Sequence, residues 1–520
     1  MKTTDTQKHI DALRPPVVVV MGHIDHGKST LLDYIRETKI AEGEAGGITQ
    51  HMSAYEVLHK AKDEKEHKVT FIDTPGHEAF QALRMRGARV ADVAILVVSA
   101  EDGVKPQTLE ALKCIQEQKI PYIVAINKID KPSANVERTR QSLAENEIYV
   151  EGYGGNVPVV AISAKTGEGV GELLDMVFLV SELAELKASH SGKAEGIVIE
   201  SNLDPKKGVS ATLIIKNGTL KKGEFLAAGE SFAPVRIMED FLGKKIDEAT
   251  FSSPVKIIGW DKLVKAGSEF KTYDTKNEAL AYVAKEAADA KVLEKQTEAK
   301  NKADALAAAL QAATDGSGEI TTIPLIVKAD TSGSLEAIIY EIGKIKAERV
   351  SIQIIEEAVG SIGEGDVRLA SANKNTIIVG FNTKIDTPAK NLADRDDVKI
   401  NVFDIIYKLT DWLKEIIKER TPKVLVDEIT GTSKIMRIFS KTKDKQIIGG
   451  KVENGFLIVG EMIKVMRRES EIGTGRVRGL QSQKRDTDEV KEGSEFGAMV
   501  ESKIEIAPGD RLVSFRTVEK

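Results

Sequence analysis

The sequence predicts a multi-domain α/β protein with β-barrels appended: a phosphate-loop α/β domain, a β-barrel, an α/β sandwich, a long connecting helix and a C-terminal β-barrel. Three observations carry this. Residues Gly22-His23-Ile24-Asp25-His26-Gly27-Lys28-Ser29 match G-x4-G-K-[ST] directly after the β-branched run Val17 to Val20, the strand–loop–helix order of a phosphate site. From about residue 13 to 187, apolar strand-like runs alternate with helical stretches, which predicts a mostly parallel sheet with ligand loops at the strands' C-terminal ends. Two later β-rich stretches share the pattern N-G-x-L-x-x-G-E, at Asn217 to Glu224 and at Asn454 to Glu461, so one barrel framework is used twice.

The first domain, 13–187, follows a short tail of residues 1–12 and carries the chemistry. Glycines at both ends of the loop let the backbone curl, so that N–H groups from Asp25, His26 and Gly27 into the helix start at Thr30 face one polyphosphate. Lys28 reaches the β/γ oxygens and Ser29 can ligate Mg²⁺. Asp73, at the end of the strand Val69 to Ile72, can hold the ion through a water, and the Gly76 N–H is open to a γ-phosphate. Asn127-Lys128-Ile129-Asp130 and Ser163-Ala164-Lys165 end later apolar runs. Guanine offers N1–H and an exocyclic amine side by side, which the Asp130 carboxylate can accept together; adenine would leave that carboxylate unpaired. Asn127 is expected at the purine's other edge, Lys128 along the ring, and the Ala164 N–H at the guanine oxygen. The four motifs in order predict a guanine-nucleotide site taking GTP or GDP.

Composition sets the outer bounds. With 520 residues the chain has room for three to five domains. At 41% hydrophobic and 30% charged it is an ordinary globular composition. No signal-peptide core or bilayer-length apolar run occurs, and the single Cys114 excludes a disulfide framework, so a cytoplasmic protein is expected. The net charge of −6 argues against a generally basic nucleic-acid coat. Residues 421–520 are nevertheless at +3 while the remainder is at −9, which permits RNA contact at the C-terminal end.

Beyond the first domain, residues 190–273 hold short β-rich runs between Gly and Asn turns and read as the first barrel. Residues 275–315 lack Gly and Pro, are rich in Ala, Lys and Glu, and read as a helical linker. From 320 to 403, strands near Pro324 to Ala329, Ser351 to Glu356 and Thr376 to Phe381 interleave with helices; Gly360-Ser361-Ile362-Gly363-Glu364-Gly365 reads as a tight turn and helix start. An amphipathic helix over 403–420 connects to the second barrel, 421–520.

The runs Gly22 to Lys28, Gly46-Gly47-Ile48-Thr49-Gln50-His51, Asp73-Thr74-Pro75-Gly76-His77-Glu78-Ala79-Phe80, Glu101 to Thr108 and Asn127 to Pro132 closely resemble bacterial translation initiation factor 2. Glu195 to Ser201, Leu325 to Asp330, Gly333 to Ala337, Val379 to Asn382 and Asp404 to Tyr407 resemble that family's later domains. The likeness spans about residues 13–515, without the long N-terminal region of many members. It implies a ribosome-triggered GTPase that brings formylmethionyl initiator tRNA to the small ribosomal subunit and promotes joining of the large one. Ribosomal RNA and other initiation factors are implied as contacts, no membrane is, and the protein is expected to be a monomer off the ribosome. By the same resemblance Thr49 binds Mg²⁺ and senses the γ-phosphate, His77 positions the attacking water, and Ile24 and Ile48 form a hydrophobic gate. His23 and His26 stay divided between packing and phosphate contact.

The C-terminal barrel departs from the family. Where members carry a basic-aromatic run and two cysteines for the formylmethionyl end, this chain has Gln481-Ser482-Gln483 and, at the cysteine positions, Gly450 and Phe496. Glu495 and Gly497 match, and Lys484, Arg485, Arg476 and Arg478 remain as expected phosphate contacts, with Phe496 expected to line the methionyl pocket. Two other readings stay open. One is another translational GTPase, an elongation or rescue factor, which the α/β unit followed by a helix and a second barrel disfavours. The other is a P-loop phosphotransferase, which ribosome-stimulated hydrolysis without a phosphorylated product would exclude.

Overall fold

A computed structural model describes residues 11–36, 49–60, 66–190, 192–291, 321–345, 347, 349–373, 375–421, 425–442, 444–468, 470–483 and 485–519. Ile48, Lys484, most of the 1–12 tail and the 292–315 part of the predicted linker lie outside those residues. The chain forms two compact units, 1–420 and 421–520.

In the first unit, six strands run in the order Ser53–Lys60, Glu66–Asp73, Val17–Gly22, Val93–Ser99, Tyr122–Asn127, Val159–Ala161. Only the first pair is antiparallel. The central strands are fully buried Val/Ile/Leu runs, as a sheet covered on both faces requires. Helices Gln81–Val90, Pro106–Gln118 and Val170–Leu183 cover it. Cys114 is buried in the second of these.

Next comes an antiparallel seven-stranded sheet over residues 195–273 around its own core, which includes Leu213, Val255, Trp260 and Phe270. Residues 276–291 are helical. A four-stranded parallel sheet follows in the order Val350–Val359, Thr321–Ala329, Ile377–Phe381, Lys399–Phe403. The glycine-rich run after Val350–Val359 is a turn and a helix start: Gly360 sits at φ 128°, and the Gly363 N–H donates to Asp366 Oδ2 at 2.8 Å. Helix Ile406–Arg420 buries Ile406, Leu409, Leu413 and Ile417, one stripe at helical spacing.

One apolar core runs through this unit without interruption, from Met21 and Leu83 through Ile197 and Ile199 to Leu325, Ile338, Ile406 and Leu409. The three larger sheets of this unit share it, although the 195–273 sheet also keeps a core of its own. The helix Gln81–Val90 is what joins them, because its buried face touches both the strand Glu195–Asp204 and the helix Ser332–Lys344.

The second unit is a closed barrel of six antiparallel strands. Strand Leu425–Lys441 pairs with Arg511–Glu519, the order continues through Met462–Arg467, Ser470–Ser482, Glu495–Ser502 and Lys445–Ile458, and the last pairs back with the first. Closure removes the free edges that an open sheet would expose.

Candidate functional site

Two glycines shape the loop after Val17–Gly22. A Cβ on Gly22 would stand 2.4 Å from the Val97 carbonyl oxygen, and one on Gly27, at φ 87°, would stand 2.3 Å from Asn127 Nδ2. The loop is therefore pressed against the next strand and the base-side loop. It borders a cavity of about 350 Å³ lined by Ile24, Asp25, Gly27, Lys28, Ser29, Thr30, Thr49, Gly76, His77, Asn127, Lys128, Asp130, Ala164 and Lys165 among others. Lys28 is buried there, its Nζ donating to the His23 carbonyl at 2.7 Å; desolvation brings its pKa down to about 8.

Ser29 Oγ and Thr49 Oγ1 lie 2.8 Å apart, and Thr49 Oγ1 donates to Asp73 Oδ2 at 3.4 Å. Asp73 Oδ1 is buried without a partner, and burial lifts the acid to about 6 despite nearby Lys28. Three oxygens thus converge beside an unsatisfied carboxylate atom. That donor set fits a small hard cation such as Mg²⁺.

At the end where the base is expected, Asn127 joins two loops. Asn127 Nδ2 donates to the His26 carbonyl at 2.8 Å and its Oδ1 accepts from Ala164 N at 2.9 Å. One N–H of the Asn127 amide and its oxygen thereby tie the phosphate loop to the 163–165 loop, while Asn127 and Ala164 both line the cavity. Asp130 is exposed, with Oδ1 accepting from Ser163 Oγ at 2.8 Å, a bond that lowers its pKa. Lys128 and Lys165 border the same cavity. The His26 ring is buried behind the loop, where the Ser99 N–H donates to its Nδ1 at 3.3 Å, and burial lowers it to about 4. A neutral ring turned away from the cavity makes His26 a packing residue, present at the site through its backbone.

His77 borders the cavity and caps the short helix Glu78–Phe80, its Nδ1 accepting from Ala79 N at 2.8 Å. Sequence reasoning missed four residues that hold these loops. Gln107 Oε1 accepts from Ile24 N at 3.1 Å. Arg84, almost fully buried, donates to the Gly76 and His77 carbonyls and pairs with Glu110 at 2.9 Å. Gln50 donates to the Asp404 carbonyl at 2.9 Å and accepts from Ile406 N at 3.3 Å. The Tyr407 ring meets the His77 ring edge-on at 4.3 Å between centroids. The positions of Gln107, Gln50 and Tyr407 inside the recurring motifs were the signal for three of them; Arg84 has none.

Next to the 49–51 segment, His51 lies 3.4 Å from Asp330, and Glu200 stands beside Asp330 with Oε1 buried and unpartnered. Burial, then the Asp330 charge, against smaller opposing effects from Thr331, Arg86 and Lys256, push Glu200 up to about 8 from an ordinary 4.5. The folded state therefore keeps a proton that the unfolded chain gives up, and this stabilising contribution, complete below pH 4.5, is lost as pH rises toward 8. Glu200→Gln should remove that slope: between pH 5 and 8 the unsubstituted protein is expected to lose roughly 1–3 kcal/mol more stability than the variant in urea denaturation. Equal pH dependence of the two would contradict it.

In the C-terminal unit, Arg476, Arg478, Arg485 and Glu495 are exposed. Arg476 Nε donates to the Gly460 carbonyl at 2.9 Å and Arg478 Nε to Glu501 at 2.6 Å. Phe496 does not line an outer pocket. Strand alternation turns it into the barrel core, 5% exposed. It pairs across the ladder with Gly450, and a Cβ on Gly450 would stand 2.9 Å from the tip of its ring. The aromatic side chain occupies the space that the glycine leaves, so these two departures from the family pattern compensate one another. Gly497 sits outward between them and Met499.

Family models match three successive parts of the chain. The Elongation factor Tu GTP binding domain model matches residues 14–182, Elongation factor G domain 2 matches 193–273, and Translation-initiation factor 2 matches 294–414. A solved structure, GDP-bound aIF5B from Aeropyrum pernix, is 27% identical with a TM-score of 0.47, covering 97% of this chain and 92% of that one. Translation initiation factor IF-2 of Bacillus licheniformis is 42% identical over 505 residues, 97% of this chain and 69% of the relative. That of Halothermothrix orenii is 41% identical over 503 residues, 97% of this chain and 72% of the relative. With identity at that level across nearly its whole length, the chain belongs to the translation initiation factor IF-2 family.

Proposed function

We propose that this translational GTPase of initiation binds GTP in the 22–30, 73–76, 127–130 and 163–165 loops and hydrolyses it when docked on the ribosome, delivering formylmethionyl initiator tRNA and promoting subunit joining. The observation that carries this reading is the convergence of all four nucleotide motifs on one cavity in a chain alignable with IF-2 over 97% of its length. Lys28 and the loop N–H groups hold the β- and γ-phosphates, and Asp130 selects guanine. Ser29, Thr49 and Asp73 would hold Mg²⁺, directly or through water, which when bound neutralises phosphate charge. His77 orders the water whose oxygen attacks the γ-phosphorus as the bond to the β–γ bridging oxygen breaks, releasing GDP and phosphate. Phosphoryl transfer depends mainly on positioning and charge stabilisation, so ordering one water suffices as a trigger.

The C-terminal barrel is the tRNA-docking unit in this reading, with Arg476, Arg478, Arg485 and Lys484 on acceptor-end phosphates near Glu495 and Gly497. Titrating the full chain with formylated and unformylated initiator tRNA at several salt concentrations tests it. Binding should weaken steeply with salt, and removing either Arg476 or Arg478 should reduce the slope of log K against log salt by about one unit. An unchanged slope in both variants would show these arginines to be solvated surface charges. Tight binding with no formyl preference would keep the phosphate contact and remove amino-acid recognition.

A further inference from the structure

Successive residues at the start of helix Ile406–Arg420 are fastened to the two segments that border the γ-phosphate end of the cavity. Gln50, next to Thr49, bonds both the Asp404 carbonyl and the Ile406 N–H. Tyr407, the next residue, lies with its ring 4.3 Å from that of His77 at an interplanar angle of 67°. Tyr407 is 44% exposed, so burial of its own ring does not account for its placement. It stands within electrostatic reach of Asp25 in the phosphate loop and of Glu341 on the neighbouring helix. His77 is thereby held from two sides: its Nδ1 is engaged as a helix cap by Ala79 N, and its ring is held against Tyr407.

We propose that Tyr407 is a positioning residue that parks the His77 imidazole, so that His77 becomes free to order water only when the first turn of helix Ile406–Arg420 shifts. The inference rests on the reading of His77 as the water-ordering residue. An edge-to-face aromatic contact is a modest restraint, which a docking partner can overcome and which sets the size of the effect. The Gln50 bonds put the same turn under the control of the segment that carries Thr49. The helix start is therefore the element through which both nucleotide-sensing segments and the water-ordering ring are joined.

Five proteins test it: unsubstituted, Tyr407→Ala, Tyr407→Phe, His77→Ala and Tyr407→Ala with His77→Ala, each measured for GTP hydrolysis without ribosomes, and the unsubstituted protein and His77→Ala also with them. Tyr407→Ala should raise kcat by about two- to tenfold with KM for GTP unchanged. Tyr407→Phe keeps the ring and should restore the unsubstituted rate, since the contact is made by the ring face and edge. Adding His77→Ala should abolish the gain. A Tyr407→Ala rate equal to or below the unsubstituted one, with GTP affinity retained, would overturn the restraint. A gain that survives His77→Ala would show that Tyr407 acts elsewhere. If His77→Ala alone leaves ribosome-stimulated hydrolysis intact, the reading of His77 fails instead, and the two failures are told apart. GTP affinity of each variant, measured in parallel, separates misfolding from either result.

Discussion

Asp130→Asn is expected to transfer nucleotide preference from GTP to XTP. The unsubstituted carboxylate is held at the cavity mouth by one bond, Ser163 Oγ to Oδ1, which leaves Oδ2 and the remaining lone pairs to face a base. Guanine presents two adjacent donors to it. Xanthine presents an oxygen where guanine has the exocyclic amine, and an amide nitrogen in place of a carboxylate oxygen supplies the donor that this oxygen needs. Because the error being corrected is an unpaired polar group in a recognition site, discrimination of roughly 10⁴-fold is at stake, far more than a change in packing would give. The Ser163 bond can be kept by the Asn carbonyl, so the loop should not rearrange. Competition of GTP and XTP for a fluorescent nucleotide measures the switch directly. Retention of wild-type GTP preference would mean that Asp130 does not read the base.

The elements that could be read from sequence are those whose pattern is set locally. The strands Val17–Gly22, Val93–Ser99 and Tyr122–Asn127 are unbroken β-branched and apolar runs because both faces of the sheet are covered. The strand Ser53–Lys60 was not legible. It is an edge strand with Glu56, His59 and Lys60 among its residues, so it offers no apolar run, and its pairing with Glu66–Asp73 is a tertiary fact. The same distinction divides the site. Lys28, Ser29, Asp73 and Asp130 announce themselves because the chemistry demands one residue type at a fixed spacing. Arg84, Gln50 and Tyr407 do not, since each acts on a segment brought near by folding: Gln50 meets Asp404 across 354 residues of chain. Asn127 shows the opposite case. Its motif is legible, but the carbonyl and N–H that its amide bonds, on His26 and Ala164, come from two other loops. Phe496 was misplaced for a related reason: a motif position gives no inward or outward sense until strand register is known, and register turns it into the core against Gly450.

His77→Ala should leave GTP affinity nearly intact and reduce ribosome-stimulated hydrolysis by about 10²-fold or more, the loss typical when a group that orders or accepts from the attacking water is removed. The two quantities separate in the proposed binding mode. There Lys28 and the loop backbone would hold the phosphates and Asp130 the base, whereas the bonds and ring contacts of His77 are to Ala79, Phe80, Tyr407 and Arg84. Its substitution removes a cap worth about 0.5–2 kcal/mol to the short helix Glu78–Phe80, but the Gly76 and His77 carbonyls stay fixed by Arg84. Burial keeps the imidazole pKa below its usual 6.5, with Glu341 opposing and Lys344 reinforcing the shift. The ring in this arrangement is therefore neutral at pH 7, and its protonation midpoint in the undocked protein, followed by NMR, should lie below 6.5. A midpoint at or above 6.5 would require a differently placed ring. Loss of GTP affinity in step with activity would make His77 a structural residue of the 76–80 segment, and the trigger would have to be sought in Thr49 and the loop that carries it.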